Sequence, residues 1–525
     1  MKTKLKMALS LILSAIVIFS SMAIGGMFAN ADTSTGKAIQ LVKDGAAANI
    51  IGGQASNLYF GNYAQSDKTG KTKDPIKWRV LENNTSSKQL FLLSEQGLDT
   101  VQYHTEDEDV TWEKSTIRSW LNGYDASYNN GGASGTDYSN NNFKDTAFSN
   151  DEQSAIMLTK GVVNNDNTYE DFISFSTEGG EDTDDKIFLL SIDEANNSSY
   201  FTGNTARKCV PTDYAIEQGA WTSDDDGKAT CWWWLRSPGY DSCDAALVGS
   251  DGSVVYIGDS VNYGYYCVRP AFNLNLESVI FTSAAVGGKK STTGAISKIA
   301  DYDGNDWKVT LKDADREFKV TESNASGKPG ETITLSYSGA TIYNKDSTPN
   351  EYISVIITDS NGDAIYYGRI TQPTSTNGKV DITIPSDLTN GKYTLNVFSE
   401  QYNGGANDDT KLTDYASEFS TIKLTVCDHT GNTNKATCTE PCLCSVCTKE
   451  LSPATGHTFG EWKVTKSATF FKDGVETHSC INEGCTETET RVVLSKFSEF
   501  KSGLFGVDFL KAILTVFADL LTSVC

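Results

Sequence analysis

Basic residues are scarce in this chain of 525 residues, which has 44 Lys and Arg against 68 Asp and Glu and a formal net charge of −24. This excess of acid disfavours binding to nucleic acid, whose phosphates require a basic surface. Proline is rare, with 10 residues, and histidine is rarer, with four. The sequence has no nucleophile elbow, Walker loop or HExxH motif, so no motif predicts a hydrolase, an NTPase or a zinc protease. Paired acids of a glycosidase stay an alternative, because their spacing is set only in three dimensions.

Residues 1–31 have the pattern of a signal peptide. Three lysines, Lys2, Lys4 and Lys6, precede an apolar run over residues 7–28, and Ala-Asn-Ala at 29–31 fits a cleavage site. We therefore predict a secreted or cell-surface protein with a net charge of −27 once the three leader lysines are removed. A membrane anchor is the alternative, because the apolar run approaches spanning length.

Residues 38–290 are predicted to form one α+β domain. Helical spacing of apolar residues occurs at 113–122 and at 145–158, and Asp251-Gly252 has the composition of a hairpin turn. Short strand patterns separated by turn residues recur along the same region, at residues 57–63, 76–81, 89–94, 186–191 and 268–276.

Three further regions follow this domain. Residues 300–426 contain regular short strands and Asn-Gly turns, which are typical of an immunoglobulin-like β-sandwich. Residues 427–493 are rich in Cys and His, and residues 495–525 predict an amphipathic helix that could mediate self-association. Charged residues interrupt the apolar run of this helix, so we predict no membrane span in the mature chain.

An ordered series of motifs within residues 57–276 resembles an uncharacterised family of secreted and surface domains of Gram-positive bacteria, domain of unknown function 6273. The motifs are YFGNY (59–63), IKWRVL (76–81), LFLLS (90–94), TWEKSTIRSWLN (111–122), DTAFSNDE (145–152), PTDYA (211–215), WWLRSPG (233–239) and VRPAF (268–272). The resemblance implies no known activity. The last strands are distantly similar to C-type-lectin-like domains, including the formylglycine-generating-enzyme class, which is an analogy of fold alone. The later regions are similar to an immunoglobulin-like module and to a Cys/His-rich surface repeat that accompany such domains.

The segment 231–239, with three consecutive tryptophans, is the strongest candidate for a binding surface. Strand alternation places Trp232 and Trp234 on one side, where they form either an aromatic platform for a sugar or peptide or part of a packed core. We predict that the domain binds an extracellular ligand, such as a glycan, peptidoglycan or a host surface, through Trp232, Trp234, Arg236, Tyr240 and Tyr265.

Two other functions are open alternatives to this non-enzymatic interpretation. An enzyme on a formylglycine-generating-enzyme-like fold would use cysteines or loop acids, and a structural or assembly protein would use the C-terminal helix. The domain's four cysteines predict one or two disulfides in an exported protein, from Cys209, Cys231, Cys243 and Cys267. Two arginines at strand ends, Arg236 and Arg269, are expected to bond loop carbonyls or acids such as Asp241 or Asp244.

Seven cysteines and three of the four histidines lie within residues 427–485. The spacing Cys444-x-x-Cys447 lets two thiolates reach one metal ion, and disulfides are the alternative. In the second half, Phe470 stands where the related repeat has Cys, and Cys480 and Cys485 are spaced more widely than in a CxxC pair, which predicts the loss of a regular second site. Calcium is a further possibility at the acidic loops 106–109, 178–185 and 224–226, although none has EF-hand spacing. The predicted zinc ligands are Cys427, His429, Cys438, Cys444 and Cys447.

Overall fold

The computed structural model describes residues 36–125, 137–164, 177–225, 227–345, 350–430, 433–504, 511 and 513–515. The chain is multidomain and mostly β, and its helices are short. Within the described residues, one compact unit covers 36–388 and 392–424, and a second covers 389–391 and the residues from 425 onwards. The predicted signal peptide lies outside the described residues.

None of the helices in the described ranges has both the length and the apolar character needed to cross a membrane.

The first unit is built on β-strands. Those of its N-terminal part are β1 (Gly36–Lys37), β2 (Ile39–Leu41), β3 (Asn57–Tyr63), β4 (Asp74–Asn84), β5 (Gln89–Ser94), β6 (Asp99–Thr100), β7 (Thr159–Val162), β8 (Thr183–Asp185), β9 (Thr222–Asp225), β10 (Lys228–Cys231), β11 (Trp233–Pro238), β12 (Asp244–Val248), β13 (Val254–Ser260), β14 (Cys267–Val268), β15 (Ala271–Asn275) and β16 (Val279–Ala284). Those that follow are β17 (Ser297–Lys298), β18 (Asp301–Tyr302), β19 (Asp306–Lys312), β20 (Lys319–Val320), β21 (Asn324–Gly327), β22 (Thr332–Ser338), β23 (Asn350–Thr358), β24 (Ala364–Thr371), β25 (Gly378–Thr383), β26 (Gly391–Tyr402), β27 (Asp414–Ala416) and β28 (Ser420–Val426).

Short helices lie between the N-terminal strands. They are α1 (Thr116–Asn122), α2 (Phe143–Ala147), α3 (Asn150–Ala155), α4 (Ile192–Asn196), α5 (Asn204–Arg207) and α6 (Asp213–Glu217), with single 3-10 turns at Trp112–Lys114 and Leu276–Ser278.

One sheet runs through both predicted regions of the first unit. Its strands follow the order β15-β5-β4-β3-β19-β27-β26-β23-β24-β17. The pairing of β3 with β19 is parallel, with Leu58 opposite Trp307. The strands predicted for residues 38–290 and for 300–426 therefore share one hydrogen-bonded sheet.

Among its described residues, five smaller sheets complete the first unit, three of them two-stranded: β1-β18, β9-β10 and β7-β8. The order β13-β12-β11-β14-β6 forms a five-stranded sheet around the tryptophan segment, and β20-β22-β25 forms a three-stranded sheet. The predicted hairpin is present, since β12 and β13 pair with Val248 opposite Val254.

Two predicted elements differ in the structure. The predicted helix at 145–158 is interrupted because Ser149 starts a new helix, α3, in which the Ser149 side chain and Glu152 form a reciprocal capping box. The predicted strand at 186–191 is extended and buried, but it makes a single β-bridge, from Phe188 to Ala271.

The second unit has little regular structure. Its strands are β29 (Cys442–Leu443), β30 (Glu450–Ser452), β31 (Lys463–Lys466), β32 (Gly474–Ser479) and β33 (Thr488–Val493), followed by helix α7 (Lys496–Leu504). The C-terminal helix predicted over residues 495–525 lies largely outside the described residues. Among the side chains described from Cys427 to Lys501, the buried residues are Cys427, Cys442, Cys444, Gly474, Cys480 and Ser495.

Candidate metal centres and candidate ligand-binding surface

Four side chains of the second unit converge in what we name cluster A, which comprises Cys427, His429, Cys444 and Cys447. Their ligand atoms all lie within 4.8 Å of one another. His429 Nδ1 is 3.4 Å from Cys427 Sγ and 3.5 Å from Cys447 Sγ, and the Sγ atoms of Cys427 and Cys444 are 3.3 Å apart. The Thr448 N–H donates to the Cys444 carbonyl at 2.9 Å. This tight turn brings the thiols of Cys444 and Cys447 to one side.

A second convergence, cluster B, comprises Cys438, His457, Cys480 and Cys485, again with all ligand atoms within 4.8 Å. Cys438 Sγ is 3.7 Å from Cys480 Sγ, and Cys485 Sγ is 3.4 Å from His457 Nδ1. A turn with a 3.1 Å bond from the Cys485 N–H to the Asn482 carbonyl accommodates the wide Cys480 to Cys485 spacing.

The structure corrects the predicted ligand set at one residue. Cys438 was grouped with the cluster A residues, but it lies in cluster B. The reason is a pair of backbone hydrogen bonds, from Gly456 N–H to the Cys438 carbonyl at 3.1 Å and from Thr455 N–H to the Thr437 carbonyl at 2.9 Å, which hold Cys438 beside the segment that carries His457. Four potential ligands therefore meet in cluster B, although the spacing of Cys480 and Cys485 predicts the loss of a regular second site.

Hydrogen bonds favour the thiolate at one position in each cluster. Backbone N–H groups, that of Cys447 foremost, and the His429 ring lower the pKa of Cys444 to about 6. Desolvation raises the pKa of Cys480, but the backbone N–H of Asn482 and the His457 ring outweigh it and lower that pKa to about 6. Each cluster could therefore hold a metal ion through three sulfurs and one imidazole.

Two residues of suitable type lie outside both clusters. The Cys442 thiol is directed to the Asn434 carbonyl, 3.3 Å away. His478 is stacked between Phe459 and Trp462, with ring centroids at 4.4 and 3.7 Å, and its Nε2 is 3.1 Å from Glu489. Within the described part of the chain, neither residue belongs to a set whose ligand atoms converge.

In the first unit, four rings form what we name the aromatic surface: Trp221, Trp232, Tyr263 and Tyr265. The Trp221 ring is 54% exposed and stacks on Trp232, with centroids 5.6 Å apart and an interplanar angle of 16°. Trp232 stacks in turn on the fully buried Tyr266 at 5.9 Å and 17°. Tyr263 and Tyr265 stack beside them at 5.1 Å.

The backbone fixes this surface. The Trp221 N–H donates to the Tyr265 carbonyl at 2.9 Å, and the buried Tyr266 hydroxyl donates to Asp259 at 2.5 Å. Trp221 and Tyr263 were not predicted, because they lie on turns outside the tryptophan segment and no periodic pattern links them to it.

The predicted site residues separate into different places. Trp232 and Tyr265 lie in the aromatic surface, whereas Trp234 is completely buried and donates its Nε1–H to the Val101 carbonyl at 3.2 Å. Tyr240 is 53% exposed and lines a cavity of about 480 Å³ that Asp109 and Lys114 also line.

Arg236 lines another cavity, of about 420 Å³, and organises its wall. The guanidinium is 3% exposed and donates to the Leu189 carbonyl at 2.8 Å, to the Val163 carbonyl at 2.9 Å and to Glu194 at 2.5 Å. The expected bonds to loop carbonyls are present, but the acid is Glu194 at the start of α4 and not Asp241 or Asp244.

Arg269 also holds loop carbonyls in place, at the end of strand β14, which pairs with β11. It is completely buried, donates to the Ser94 carbonyl at 2.8 Å and lies over the Trp233 ring at 5.0 Å. The arginine of each recognised motif is therefore part of the domain's internal scaffold.

The four cysteines predicted to form disulfides are free thiols in this structure. Cys209, Cys231 and Cys267 are fully buried. Gly97 packs closely against two of these thiols, since a Cβ built on it would lie 2.9 Å from Cys267 Sγ and 3.2 Å from Cys231 Sγ. Desolvation by burial raises the pKa of all three thiols. Protonated, enclosed thiols are poor nucleophiles.

In one acidic loop considered for calcium, residues 106–109, three carboxylates have polar partners, whereas Asp226 of the loop 224–226 lies outside the described residues. Asp107 and Asp109 accept from Ser260 and Ser242, and Glu108 lies 3.2 Å from the His104 ring. Within the described ranges, no set of three or more carboxylates converges as the Cys and His side chains do.

A family model described as "Domain of unknown function (DUF6273)" matches residues 87–276. A comparison with curated proteins finds no match. Similar solved structures include AvmM, which catalyzes macrocyclization in alchivemycin A biosynthesis, at 10% identity over 22% of this chain and 92% of that one, with a TM-score of 0.16. A type I cohesin–dockerin complex from Clostridium thermocellum has 9% identity over 21% of this chain and 99% of that one, with a TM-score of 0.11.

An S-layer protein is also similar, at 12% identity over 48% of this chain and 38% of that one, with a TM-score of 0.13. These three scores are too low to support an argument about fold or function. The family match is different, because it falls on residues 87–276, where most of the sequence motifs lie. The region that holds the aromatic surface therefore matches an uncharacterised domain family.

Proposed function

We propose that residues 38–290 are an extracellular recognition domain that binds a glycan on the aromatic surface. The observation that carries this proposal is the stack of Trp221 on Trp232 on Tyr266, which leads from an exposed ring to a buried one. Flat indole and phenol rings pack against the C–H faces of sugars, and their polar edges stay available for hydrogen bonds. An exposed group of rings on a rigid support is also a common mark of an interaction site.

The charge of the chain supports a neutral ligand. The formal net charge is −24, so a strongly anionic polymer would be repelled over most of the surface. Neutral hexoses and N-acetylated sugars of cell walls or host surfaces carry no such penalty. The Gln102 side chain donates to the Asn262 carbonyl at 2.6 Å, beside the turn that carries Tyr263. Its amide is a neutral polar group that could hydrogen-bond a sugar hydroxyl.

The proposal includes export and a modular arrangement. The leader at 1–31 directs the chain out of the cell, the α+β region has a C-type-lectin-like fold, and residues 300–426 add immunoglobulin-like strands that continue the same sheet. Trp234 supports the surface from beneath, because it is buried and its ring lies 4.7 Å from that of Tyr266. Arg236 and Tyr240 belong to two other cavities.

The test is binding of the full chain to an array of bacterial and host glycans and to purified peptidoglycan. Trp221→Ala removes the outermost ring, and we expect affinity to fall by about 10-fold, which corresponds to about 1.4 kcal/mol. Tyr240→Ala is the matched control, because that ring is equally exposed but lies outside the aromatic surface. Equal losses in both variants would contradict the assignment, and a blank array would favour a structural or assembly role.

We also propose that cluster A binds zinc. Three cysteine sulfurs and one histidine nitrogen are a common ligand set for structural zinc, and a closed four-ligand site leaves no position for a substrate. Metal analysis of the purified full chain should find bound zinc that the Cys444→Ser variant loses. A folded module without metal would contradict this assignment.

A further inference from the structure

We propose that cluster B is a second zinc site and that it interlocks with cluster A, so that residues 427–493, which we name the C-terminal module, fold around two ions. The assignment of cluster B stands on its own geometry, and the interlocking rests on the zinc proposed at cluster A. The spacing of Cys480 and Cys485 predicted the loss of this site, so it follows from the structure alone.

The interatomic distances fit a tetrahedral ion. With Zn–S bonds of about 2.3 Å and Zn–N bonds of about 2.0–2.1 Å, two sulfurs should lie about 3.8 Å apart and a sulfur and a nitrogen about 3.6 Å apart. The Cys438 to Cys480 sulfur distance is 3.7 Å, and the Cys485 sulfur lies 3.4 Å from His457 Nδ1. Cluster A has sulfur to nitrogen distances of 3.4 and 3.5 Å, and its Cys427 to Cys444 sulfur distance of 3.3 Å is shorter than the tetrahedral value.

Disulfide pairing fits the clusters less well. A disulfide brings two sulfurs to about 2.05 Å, and the pairs in these clusters are 3.3 and 3.7 Å apart. Each cluster also contains three cysteines, so one disulfide would leave an odd thiol and an unused imidazole in each. A tetrahedral ion uses all four ligands in both clusters.

The order of the ligands along the chain interlocks the two sites. Cluster A takes residues 427 and 429, the chain then supplies Cys438 to cluster B, and it returns to cluster A at 444 and 447. The segment between His429 and Cys444 is therefore anchored at both ends by one ion and in its middle by the other. Formation of one site restricts the loop that the other must organise, which makes binding of the two ions cooperative.

The module has no apolar core to replace the metal. Its buried side chains, where described, are four cysteines and one serine, and three of these cysteines are cluster ligands. Large apolar side chains are instead exposed, such as Phe470 at 62%, Phe471 at 73% and Ile481 at 68%. A small module without a core needs covalent or metal cross-links, and the free energy of metal binding then becomes free energy of folding.

The experiment uses the full chain, purified under reducing conditions in the presence of Zn²⁺ and then desalted. Zinc content is measured by elemental analysis for wild type, Cys444→Ser in cluster A and Cys480→Ser in cluster B. Cys442→Ser is the matched control, because this thiol is equally buried, lies in the same module and belongs to neither cluster. We expect two zinc ions per chain in wild type and in the control, and one ion fewer in each cluster variant.

A variant whose module unfolds would lose both ions, so a second measurement keeps the count independent of mutation. Titration of the metal-free wild-type chain with Co²⁺ should give thiolate charge-transfer absorption that saturates at two equivalents. Hydrogen exchange should show that chelation removes protection from residues 427–493 and leaves the first unit unchanged, because only residues 427–493 fold around the ions. Interlocking further predicts that Cys480→Ser weakens Co²⁺ binding at cluster A.

The possible failures are distinguishable. One zinc per chain, unchanged in Cys480→Ser, would overturn the second site and leave the zinc proposed at cluster A intact. No zinc in wild type, or a disulfide between Cys438 and Cys480 in a folded metal-free module, would overturn both assignments. Unchanged protection after chelation would overturn the claim that residues 427–493 fold around their ions. Wild-type Co²⁺ affinity at cluster A in the Cys480→Ser variant would overturn the interlocking alone.

Discussion

A buried group of five charged side chains in the first unit gives the sharpest test of what holds that unit together. We name it the ion network, and every member is 0% exposed: Lys289, Lys308, Glu400, Asp408 and Asp414. Asp414 is central, because its Oδ2 lies 2.7 Å from Lys289 Nζ and 3.1 Å from Lys308 Nζ. Lys308 also bonds Asp408 at 2.8 Å, and Lys289 bonds Glu400.

The perturbation is Asp414→Asn, which preserves the shape of the side chain and removes one charge. The Asn403 N–H can still donate to the Oδ1 position, 2.6 Å away, so the loss is confined to the two lysine contacts. Removing one partner of a buried ion pair leaves an uncompensated charge and destabilises proteins by about 3–5 kcal/mol. We expect a loss of that size in the free energy of unfolding of the first unit.

The same network predicts a dependence of stability on pH. Desolvation opposes ionisation of Asp414, but the two lysines outweigh it and hold its pKa below the ordinary value. A carboxyl whose pKa is depressed by folding contributes stability above its unfolded pKa of about 3.9, and this contribution is lost as pH falls through the folded pKa. The wild-type protein should therefore lose more stability on acidification below about pH 4 than Asp414→Asn does.

The assay is urea unfolding of the full chain followed by hydrogen exchange, which reports the first unit separately from the second. Asp301→Asn is the control, because its partner Lys37 is 36% exposed and Asp301 is 61% exposed, so solvent screens that pair. A midpoint for Asp414→Asn that matches the control would refute the claim that the network is desolvated and mutually dependent.

Two further predictions concern single residues of the first unit. Desolvation raises the pKa of Asp99 to about 6 despite a 2.6 Å hydrogen bond from the Tyr63 hydroxyl. The wild-type protein should therefore lose about 2–3 kcal/mol of stability as the pH rises from about 4 to 8. Urea unfolding midpoints should not show this loss for Asp99→Asn, and the same pH dependence in both proteins would contradict the prediction. Gly252 has φ +83° and an added Cβ would lie 1.9 Å from the Asn204 carbonyl, whereas Gly161 has φ +62° and open space around it. Thermal unfolding should show that Gly161→Ala destabilises the protein by about 1–2 kcal/mol from backbone strain alone. Gly252→Ala should destabilise it by about 1–3 kcal/mol more, because its Cβ is overpacked. Equal decreases in unfolding temperature for the two variants would contradict the steric clash at Gly252.

Local patterns in the sequence predicted much of the first unit because they reflect local physics. Short strand patterns bounded by turn residues located β3 and β5 at their observed bounds, and the Asp-Gly turn located the β12–β13 hairpin. The helix period at 145–158 was misleading, since it continued across Ser149, whose capping interaction ends one helix and begins another. A Ser-x-x-Glu capping signal was available in the sequence at that point.

Contacts between distant segments were not predictable in the same way. Cys438 and Arg236 have the residue types and spacings of several possible partners, and their actual partners depend on backbone pairing between segments 18 or more residues apart. Trp221 belongs to the aromatic surface only because its N–H bonds the Tyr265 carbonyl. One sequence contains no signal for such a pairing.

The two units are stabilised by different chemistry, and this separates the two proposals. The aromatic surface lies on segments that connect strands of the first unit. That unit is held by apolar packing, by buried arginines and by the ion network, none of which involves a metal-ligating sulfur. All ligands of clusters A and B lie in the second unit, which has no core of aliphatic or aromatic side chains among its described residues. Chelation should therefore unfold the second unit while glycan affinity of the first is retained, so that loss of zinc and loss of binding are independent results. If chelation also abolished binding, the ligand site would have to include the metal module, and the aromatic surface alone would be insufficient.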